Sequence, residues 1–482
     1  MWMVSDHQPH GNRGRTAMSF AVQSRMAREG TRFVQARTVL PVCSPARAPM
    51  LTGVYPHRHG LTENDGRFGG RAELDRDAWL VHHPLTEAGY RCAWFGKWHL
   101  DQQRSAQAYG FEGFSLPGYG YPYSSPAYRD YLDRAGITTP VARVEMPGES
   151  GRQIGSKIAL VEMDDWFDFE AGVSRLDGPA EAHEAYFVAS LASDWIRAIG
   201  DEPFFLRVDP WGPHPPYLLA PPYCAAIDQI DGQADLPLNV TMCLERRPAH
   251  HRSYRDYWQN MLRLHREGWR CMGAAALAHA ALVEAALATV LEALDESGVA
   301  DDTIVIFTAD HGDAVASNGG VANKGGLMVE ETMRVPLLIR GLGFEPGDVC
   351  DTLVSNMDIA PTILEFCGLS CGADMDGQSL VGIANGDTTS RRQGLLTEHY
   401  GLHERVVQRA FYEDHWKLVA QQDGFQELYN LETDPYEMNN LADSPAQIET
   451  LRHMRSGLVE AAIASDDKEI GLFKNLDTEH SS

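Results

Sequence analysis

The chain has 482 residues, 44% of them hydrophobic, and a formal net charge of −26 at pH 7. That length fits about two or three domains, or one large domain with an appendage. The acidic balance argues against nucleic acid or an anionic membrane as partner, because either requires a basic face, whereas a local cationic pocket still admits an anionic substrate.

The N-terminal sequence MWMVSDHQPHGNRGR has no basic segment followed by an apolar one, so we predict no signal peptide and a cytoplasmic location. Only five residues precede Asp6, and a longer upstream segment would change that expectation. No run of about 18 apolar residues is present, so we predict no membrane span. The 8 cysteines are dispersed, and no CxxC pair predicts a zinc site.

The first predicted element is a short strand over residues 2–5, an apolar run that ends at Asp6. Apolar residues at helical spacing over residues 16–30 predict a helix that stops at Gly30. The segment LVHHPLTEAGYRCAWFGKWHL predicts a helix, a strand at Arg91–Phe95 and a polar loop.

Residues 101–180 are rich in Gly, Pro, Tyr and Ser and lack a sustained period, so we predict long loops over one face. A helix is predicted near residues 181–199, followed by the strand PFFLRVDP, and residues 255–298 are predicted to be mostly helical. Two further strands are predicted within DDTIVIFTADHGD and RVPLLIRG.

Strands that alternate with helices predict an α/β fold with a large, mainly parallel sheet sandwiched by helices. Ligands of such sheets bind beyond the carboxyl ends of the strands. We therefore expect one shared rim for the polar residues that follow predicted strands: Asp6, Lys97, His214 and Asp310.

The character of the chain changes near residue 376, where short antiparallel strands with a turn at QDG precede a terminal helix. We predict a catalytic α/β domain at residues 1–375. A smaller C-terminal α+β subdomain with a short antiparallel sheet is predicted at residues 376–482.

The stretch CSPARAPMLTG, residues 43–53, raises the question of what Cys43 does. A cysteine phosphatase loop needs an arginine six residues after its cysteine, but Pro49 occupies that position and Arg47 lies at plus four. A cysteine protease needs a partner histidine with a supporting Asn or Asp, and no local signature indicates one. A structural cysteine remains the simple alternative.

Two acidic positions follow predicted strands, in VSDHQ and FTADHGD. Asp6 with His7, and Asp310 with His311 and Asp313, offer carboxylates of the kind that calcium, magnesium and manganese bind. Burying these carboxylates together without a cation would be costly, because like charges raise each other's pKa. The alternative is that each Asp caps a helix or a turn.

Five cationic or titratable side chains accompany these carboxylates: Arg47, Lys97, His99, His214 and Lys324. Each of them alone is typical of a solvated surface. Together they indicate a metal-anchored pocket for a tetrahedral anion.

The motif CSPARAPMLTG resembles the signature of the type I sulfatases in the alkaline-phosphatase-like superfamily. The segments GKWH, PHPP, DHGD, NKG, VEETMRVPLLIRG, MDIAPTIL and ELYNLETDPYEMNNLAD are similar to sulfatase segments and occur in the same order. The resemblance runs from about residue 3 to residue 445 and is least clear in the loops after residue 100.

The resemblance implies hydrolysis of a sulfate monoester to sulfate and an alcohol. It also implies that Cys43 is a precursor, converted to formylglycine by the formylglycine-generating enzyme, which reads Cys-x-Pro-x-Arg. In the hydrated aldehyde, one hydroxyl would attack sulfur and the other would later expel sulfate. A divalent metal would lower the pKa of the attacking hydroxyl.

The resemblance also implies a role for each site residue. The implied metal ligands are Asp6, His7, residue 43, Asp310 and His311. Arg47 would hold the hydrate and the carboxylates, and Lys97 and His99 would contact the hydrate, with His99 as the base for sulfate release. His214 and Lys324 would bind sulfate oxygens, one of them protonating the leaving alcohol, and Asn64 is a further substrate-binding candidate.

Position 7 departs from the commonest sulfatase pattern, which has two consecutive acids there. We expect one divalent metal, Ca²⁺, with Mn²⁺ or Mg²⁺ as alternatives because His7 offers a nitrogen. Phosphonate monoester and phosphodiester hydrolases, which share the formylglycine site, also lack the second acid and are the alternative function. A non-catalytic, anion-binding homologue is a further alternative.

The sulfated alcohol is expected to be a small molecule or a carbohydrate, and a homo-oligomer is possible. Candidate residues for lining the substrate pocket are Trp98, Trp211, Tyr217, His399, Tyr400, His403 and Arg405.

Overall fold

The computed structural model describes residues 1–9, 20–147, 154–162, 172–228, 236–370, 374–387, 389, 391–473 and 476. The strands are β1 (Trp2–Ser5), β2 (Thr31–Arg37), β3 (Arg91–Gly96), β4 (Glu112–Phe114), β5 (Val141–Pro147), β6 (Ile154–Glu162), β7 (Val173–Asp177), β8 (Phe204–Asp209), β9 (Tyr217–Leu219), β10 (Val305–Ala309), β11 (Leu337–Arg340), β12 (Val349–Ser355), β13 (Leu395–Gly401), β14 (Arg405–Glu413), β15 (Trp416–Gln421) and β16 (Gln426–Asn430).

The α-helices are α1 (Ala21–Glu29), α2 (Cys43–Thr52), α3 (Pro56–His59), α4 (His82–Glu87), α5 (Pro126–Ala135), α6 (Glu184–Ile199), α7 (Ala225–Asp228), α8 (Ala249–Leu262), α9 (Arg266–Glu296), α10 (Glu330–Met333), α11 (Ile359–Phe366), α12 (Val381–Ala384) and α13 (Ile448–Ala464). Short 3₁₀ turns join several of them.

The main sheet has eight strands in the order β12-β2-β11-β10-β1-β8-β3-β4. Every neighbouring pair is parallel except those of β11, which is antiparallel to both β10 and β2. The mainly parallel sheet predicted from the sequence is therefore confirmed, and RVPLLIRG supplies its one antiparallel strand among the described residues.

Both faces of the main sheet are covered by helices. Side chains alternate between faces along a strand, so Met3 packs with α1, α6 and α9, whereas Trp2 and Val4 pack with α2, α4 and α11. The same division holds for β10, where Phe307 lies on the first face and Ile306 on the second. The sandwich predicted from strand–helix alternation is confirmed.

Helix α9 has 31 residues and, within the described parts of the chain, is the one helix apolar and long enough to span a membrane by composition. No run of 18 apolar residues occurs in it, because His279 and Glu284 interrupt the apolar sequence, and the absence of a membrane span stays a prediction. Of its most apolar window, 83% is buried in the fold, where it packs against α6, α1 and β1. Its hydropathy is explained by a position in the core.

The prediction of long loops over residues 101–180 is wrong for the described part of that range. Strands β6, β5, β7 and β9 form a second sheet in that order, α5 precedes it, and β4 extends the main sheet. The alternating sequence VARVEMP of β5 is a strand pattern. Frequent Gly and Pro in the flanking turns obscured it.

Helix α1 ends before Gly30, as predicted, although residues 16–19 of the predicted helix lie outside the described residues. Gly30 has an extended backbone with φ of −157°, so left-handed capping does not explain it. A Cβ atom at residue 30 would lie 2.1 Å from the carbonyl oxygen of Ile339. A glycine is needed at this position because the backbone at the end of α1 passes very close to β11.

The C-terminal part forms an antiparallel sheet in the order β13-β14-β15-β16, with α13 packed on β14 and β15. The predicted QDG turn lies between β15 and β16, where Gly424 has φ of +98°. The predicted α+β subdomain is confirmed as an architecture, and the boundary at residue 375 stays a prediction.

Candidate active site

Four neighbouring parallel strands end at the same edge of the main sheet. Asp310 follows β10, Asp6 follows β1, Asp209 ends β8 and Lys97 follows β3. All four side chains are buried. The shared rim predicted for Asp6, Lys97 and Asp310 is present.

The guanidinium of Arg47, on α2, joins three of these strand ends. Its Nε donates to Asp310 Oδ2 at 3.1 Å, and its two terminal nitrogens donate to Asp209 Oδ2 at 2.8 Å and to Asp6 Oδ1 at 3.2 Å. It also donates to the carbonyl of Lys97 at 3.1 Å. The planar fork of arginine suits several acceptors at once, so Arg47 holds the rim together.

Asp6 and Asp310 are close enough to influence each other's ionisation. Burial, and next the charge of Asp310, raise the pKa of Asp6, although Lys97 Nζ donates to both of its oxygens at 2.8 and 2.7 Å. Burial also disfavours the ionised form of Asp310, but His311 and Arg47 outweigh it and hold the pKa of Asp310 below its usual range. Two buried carboxylates in this arrangement favour a bound cation.

Helix α2 begins at Cys43 and is buried along its whole length. Asn64 caps its first turn, because Asn64 Oδ1 accepts the Ser44 N–H at 3.0 Å, and Ser44 Oγ donates to the carbonyl of His99 at 2.6 Å. The helix ends at Gly53, whose φ of +70° is the left-handed conformation that favours glycine. These contacts fix Cys43 at the N-terminus of the helix.

The thiol of Cys43 lies against the second Asp-His pair. Its Sγ is 3.3 Å from Nε2 of His311, whose Nδ1 faces the carbonyl of Gly312 at 2.9 Å. Ligand atoms of Cys43, Asp310 and His311 lie within 4.8 Å of one another. Residue 43 and the second Asp-His pair therefore form one compact group of possible metal ligands.

Cationic side chains surround the thiol. Burial alone would raise the pKa of Cys43, but the charges of Lys324, Lys97 and His311 overcome burial and place the pKa well below its usual range. His214 also hydrogen-bonds to the thiol. The pocket at the start of α2 therefore stabilises negative charge.

His214 is presented by the loop that follows β8. Glu184 of α6 accepts the backbone N–H groups of Trp211 at 3.1 Å and Gly212 at 2.8 Å, and the Gly212 carbonyl accepts the Asp6 N–H at 3.1 Å. Nδ1 of His214 is 2.6 Å from the Pro215 carbonyl, and therefore carries the proton.

The other nitrogen of His214, Nε2, is 3.2 Å from Nζ of Lys324. Lys324 and His214 are both buried, with exposed fractions of 3% and 6%. Burial lowers the pKa of His214 well below its usual range, and the Lys324 charge acts in the same direction. Nε2 of the neutral His214 is therefore an acceptor, and Nζ of Lys324 donates to it.

His7 lies beside these groups. Its ring makes edge contacts with His311 and His214, each at 4.7 Å between centroids, and its Nε2 is 3.6 Å from Asp313 Oδ2. Both ring nitrogens are buried and have no hydrogen-bond partner. His7 and Asp6 are not within the tight donor cluster formed by Cys43 and the second Asp-His pair.

Sequence reasoning missed several residues of this site. Asp209 accepts from Arg47 and is also held by Arg207 at 2.9 Å, and Tyr119 lies under Lys97, with Nζ 4.2 Å from the ring centroid. The buried charges inside the apolar strand FFLRVD were a signal for Asp209. Tyr119 lies in a region without a periodic pattern, so its role depends on tertiary contacts alone.

The aromatic residues predicted to line a substrate pocket divide into two groups. The structure buries Trp98, Trp211 and Tyr217 completely in the hydrophobic clusters of the fold. Trp98 and Trp211 therefore pack in the core and do not line a pocket. The Tyr217 hydroxyl donates to Asp313 at 2.6 Å.

The EHYGLHER segment forms the end of β13 and the following turn. His399 and Tyr400 are buried, whereas His403 and Arg405 are exposed. His403 borders a cleft beside Gly326, and Arg405 borders a separate pocket together with His57. The two exposed residues therefore face different cavities.

Two family models match most of the chain. The sulfatase family model matches residues 5–369, and a model of the N-sulphoglucosamine sulphohydrolase C-terminal region matches residues 323–464. The choline-sulfatase of Rhizobium meliloti is 27% identical over 455 residues, which cover 89% of this chain and 80% of that protein.

Solved structures show the same fold. One, determined in complex with its substrate D-glucosamine-2-N,6-O-disulfate, has a TM-score of 0.73 at 18% identity and covers 97% of this chain and 98% of its own. The phosphonate monoester hydrolase of Silicibacter pomeroyi also has a TM-score of 0.73, at 19% identity, covering 98% of this chain and 96% of its own. With a family model matching most of its length and this site at the rim of the sheet, the chain belongs to the sulfatase family, whose members are sulfuric ester hydrolases.

Proposed function

We propose that this chain hydrolyses a sulfate monoester with a nucleophile formed from Cys43, releasing sulfate and an alcohol. The observation that carries the proposal is the environment of residue 43. It begins a buried helix, touches His311, and is surrounded by the charges of Lys324 and Lys97. A site of this kind stabilises a tetrahedral anion next to a nucleophile.

Formylglycine at residue 43 supplies the chemistry that a thiol lacks, because its hydrate offers an oxygen nucleophile and a second hydroxyl on the same carbon. The flanking sequence supports this modification through its Cys-x-Pro-x-Arg motif. The formylglycine-generating enzyme is then a partner during maturation.

The residues present fit a divalent metal. Residue 43, Asp310 and His311 would hold it, with Asp6 and His7 completing the donor set. When bound, the metal polarises sulfate oxygens and favours the ionised nucleophile. The two unpartnered nitrogens of His7 support a set of mixed oxygen and nitrogen donors. Since Ca²⁺ takes oxygen ligands and His7 offers nitrogen, we propose Mn²⁺ in place of the calcium expected from the sequence.

The remaining side chains have roles that follow from charge and position. Lys324 is the member of the pair that donates to sulfate oxygens and protonates the leaving alcohol, and His214 orients it, because Nε2 of the neutral imidazole accepts a hydrogen bond from Nζ of Lys324. Burial lowers the pKa of His99 to about 4, so His99 is neutral at pH 7 and able to accept a proton. Lys97 and Arg47 hold the carboxylates of the rim.

The test is sulfate release from an aryl sulfate by protein co-expressed with the formylglycine-generating enzyme. Mass analysis of the peptide that carries residue 43 reports the conversion. Cys43→Ala is the matched control, and we expect it to abolish release while leaving the fold intact by circular dichroism. Equal turnover by Cys43→Ala would contradict the proposal.

Phosphonate monoester or phosphodiester hydrolysis is the second candidate, favoured by His7 in place of a second acid. The resemblance supports this alternative, because phosphonate monoester hydrolases also lack the second acid at the end of the first strand. An aryl phosphonate assayed beside the aryl sulfate decides between the two. Faster phosphonate turnover would assign the chain to the second function.

A further inference from the structure

A cleft of about 250 Å³ opens between helix α8 and the turn that joins β13 to β14. The residues that line it are His250, Ser253, Tyr254, Tyr257, Gly326, Leu402, His403, Glu404 and Val406. Its volume is below the roughly 300–1,000 Å³ of clefts that bury drug-sized ligands. The space therefore suits one ring or a group of similar size.

The cleft adjoins the sulfate-binding end of the site. The ring of Tyr254 occupies the space where residue 325 would carry a side chain, since a Cβ there would lie 2.4 Å from the tyrosine. Residue 325 directly follows Lys324, whose Nζ contacts His214. Apart from burial, the Lys324 charge is the largest influence that lowers the pKa of His403, which borders the cleft. The cleft thus begins at Gly326, two residues from a proposed sulfate ligand.

The walls of the cleft are held by packed aromatic rings. Tyr254 and Tyr257 lie nearly parallel at 6.5 Å between centroids, and the His403 ring packs against them at 5.1 and 5.2 Å. The Tyr254 hydroxyl donates to the Ala322 carbonyl at 2.7 Å, and His250 Nε2 is 3.0 Å from the Gly326 carbonyl. These bonds fix the wall relative to the loop that carries Lys324.

The lining of the cleft has an acidic side chain and disfavours a second anion. Among the lining residues Glu404 is acidic, and none is an arginine or a lysine. Arg405, which the sequence suggested for a second anionic group, borders a different pocket with His57 and Glu63. Tyr257, which borders the cleft, is 39% exposed. Aromatic side chains pack well against the apolar faces of rings.

We propose that this cleft binds the uncharged ring of the alcohol that carries the sulfate, and that Glu404 disfavours a second sulfate or carboxylate on that ring. The proposal rests on the proposed sulfatase function. An aryl group and a pyranose both have a neutral ring with an apolar face, so either could bind in the cleft. The substrates of the test distinguish between these two kinds of ring.

The test compares kcat/KM of the formylglycine-containing enzyme on four esters. They are 4-nitrophenyl sulfate, N-acetylglucosamine 6-sulfate, the disulfated N-sulfoglucosamine 6-sulfate, and n-propyl sulfate, which has no ring. We expect Tyr257→Ala to lower the ratio of ring to propyl kcat/KM about tenfold, mainly through KM. Tyr257→Phe, which keeps the ring, should retain the ratio, and so should Met261→Ala, one turn along α8 and outside the cleft.

A second variant tests the charge. Glu404→Lys should raise the kcat/KM of the disulfated sugar relative to N-acetylglucosamine 6-sulfate about tenfold, because it replaces a repulsive charge with an attractive one. Unchanged ratios in both Tyr257→Ala and Glu404→Lys, or a wild-type preference for the disulfated sugar, would overturn the proposal. Absence of sulfate release from all four esters by the wild-type enzyme would instead contradict the proposed function.

Discussion

Arg47→Met removes the guanidinium that joins three strand ends. Of the three carboxylates that it contacts, we expect Asp310 to be destabilised most. Asp6 keeps Lys97, and Asp209 keeps Arg207, at 2.7 and 2.9 Å. Asp310 loses the guanidinium bonded to it and retains the backbone N–H groups of His7 and His311, each at 2.9 Å, and the His311 ring at 3.9 Å. A buried ionised carboxylate without a cation is strongly destabilising.

The cost of breaking a buried ion pair by removing one partner is about 3–5 kcal/mol. Unfolding entropy is about 2.1 cal/mol/K per residue, so in a chain of 482 residues each 1 kcal/mol moves Tm by about 1 °C. We therefore expect the Tm of Arg47→Met to fall by about 3–5 °C in chelator-treated protein. Added Mn²⁺ should recover part of the loss, because the metal neutralises Asp310.

The assay is a thermal melt of wild type, Arg47→Met and the double variant Arg47→Met/Asp310→Asn, with and without Mn²⁺. Arg71→Met is the control, because Arg71 forms an exposed pair with Asp75 that contributes little. The double variant should be more stable than Arg47→Met, since the unpaired charge is gone. A Tm of Arg47→Met within 1 °C of the Arg71→Met control, or no gain on adding Asp310→Asn, would refute the reasoning.

Further predictions concern the metal, the His214 loop and the C-terminal contact. His7→Asp exchanges a nitrogen donor for oxygen, so Ca²⁺ should raise the Tm of that variant more than Mn²⁺ does, the reverse of wild type; the same order in both proteins would contradict the proposed role of His7. Burial raises the pKa of Glu184 to about 7, and the charged form accepts the backbone N–H groups of the His214 loop. Protonation below pH 7 should therefore lower kcat, and Glu184→Gln should lower kcat while removing that acidic limb from the pH profile. Although burial opposes it, the hydrogen bond with Glu398 raises the pKa of His57 to about 9, so this contact stabilises the fold below pH 6.5 and is lost as pH rises through 9. Melts at pH 6 and pH 9.5 should show a Tm decrease that is smaller in His57→Gln.

The rule that ligands bind beyond the carboxyl ends of parallel strands was sufficient to predict the convergence of Asp6, Lys97 and Asp310. That prediction succeeded because each residue directly follows a short apolar run, a signal that the linear sequence contains. The apolar alternation within β1 and β10 also determines which face each side chain covers. The sandwich architecture follows from the same local patterns.

Other features depend on contacts that no local pattern encodes. Tyr119 contacts Lys97 through folding of a segment rich in Gly and Pro, and Glu184 supports the His214 loop from the start of a helix. Gly30 was predicted only as the end of a helix, but a glycine is required there because a Cβ would lie 2.1 Å from the Ile339 carbonyl oxygen. The roles of these residues depend on contacts between segments that are distant in the sequence. They can therefore be recognised only after the sheet order is known.

The central claim, hydrolysis of a sulfate ester by a nucleophile made from Cys43, is tested most directly by paired turnover of an aryl sulfate and the corresponding aryl phosphonate. The enzyme would be co-expressed with the formylglycine-generating enzyme and loaded with Mn²⁺, beside Cys43→Ala treated identically. We predict sulfate release that exceeds phosphonate turnover and is lost in Cys43→Ala. Confirmed aldehyde at residue 43 with no sulfate release, or with faster phosphonate turnover, would contradict the claim.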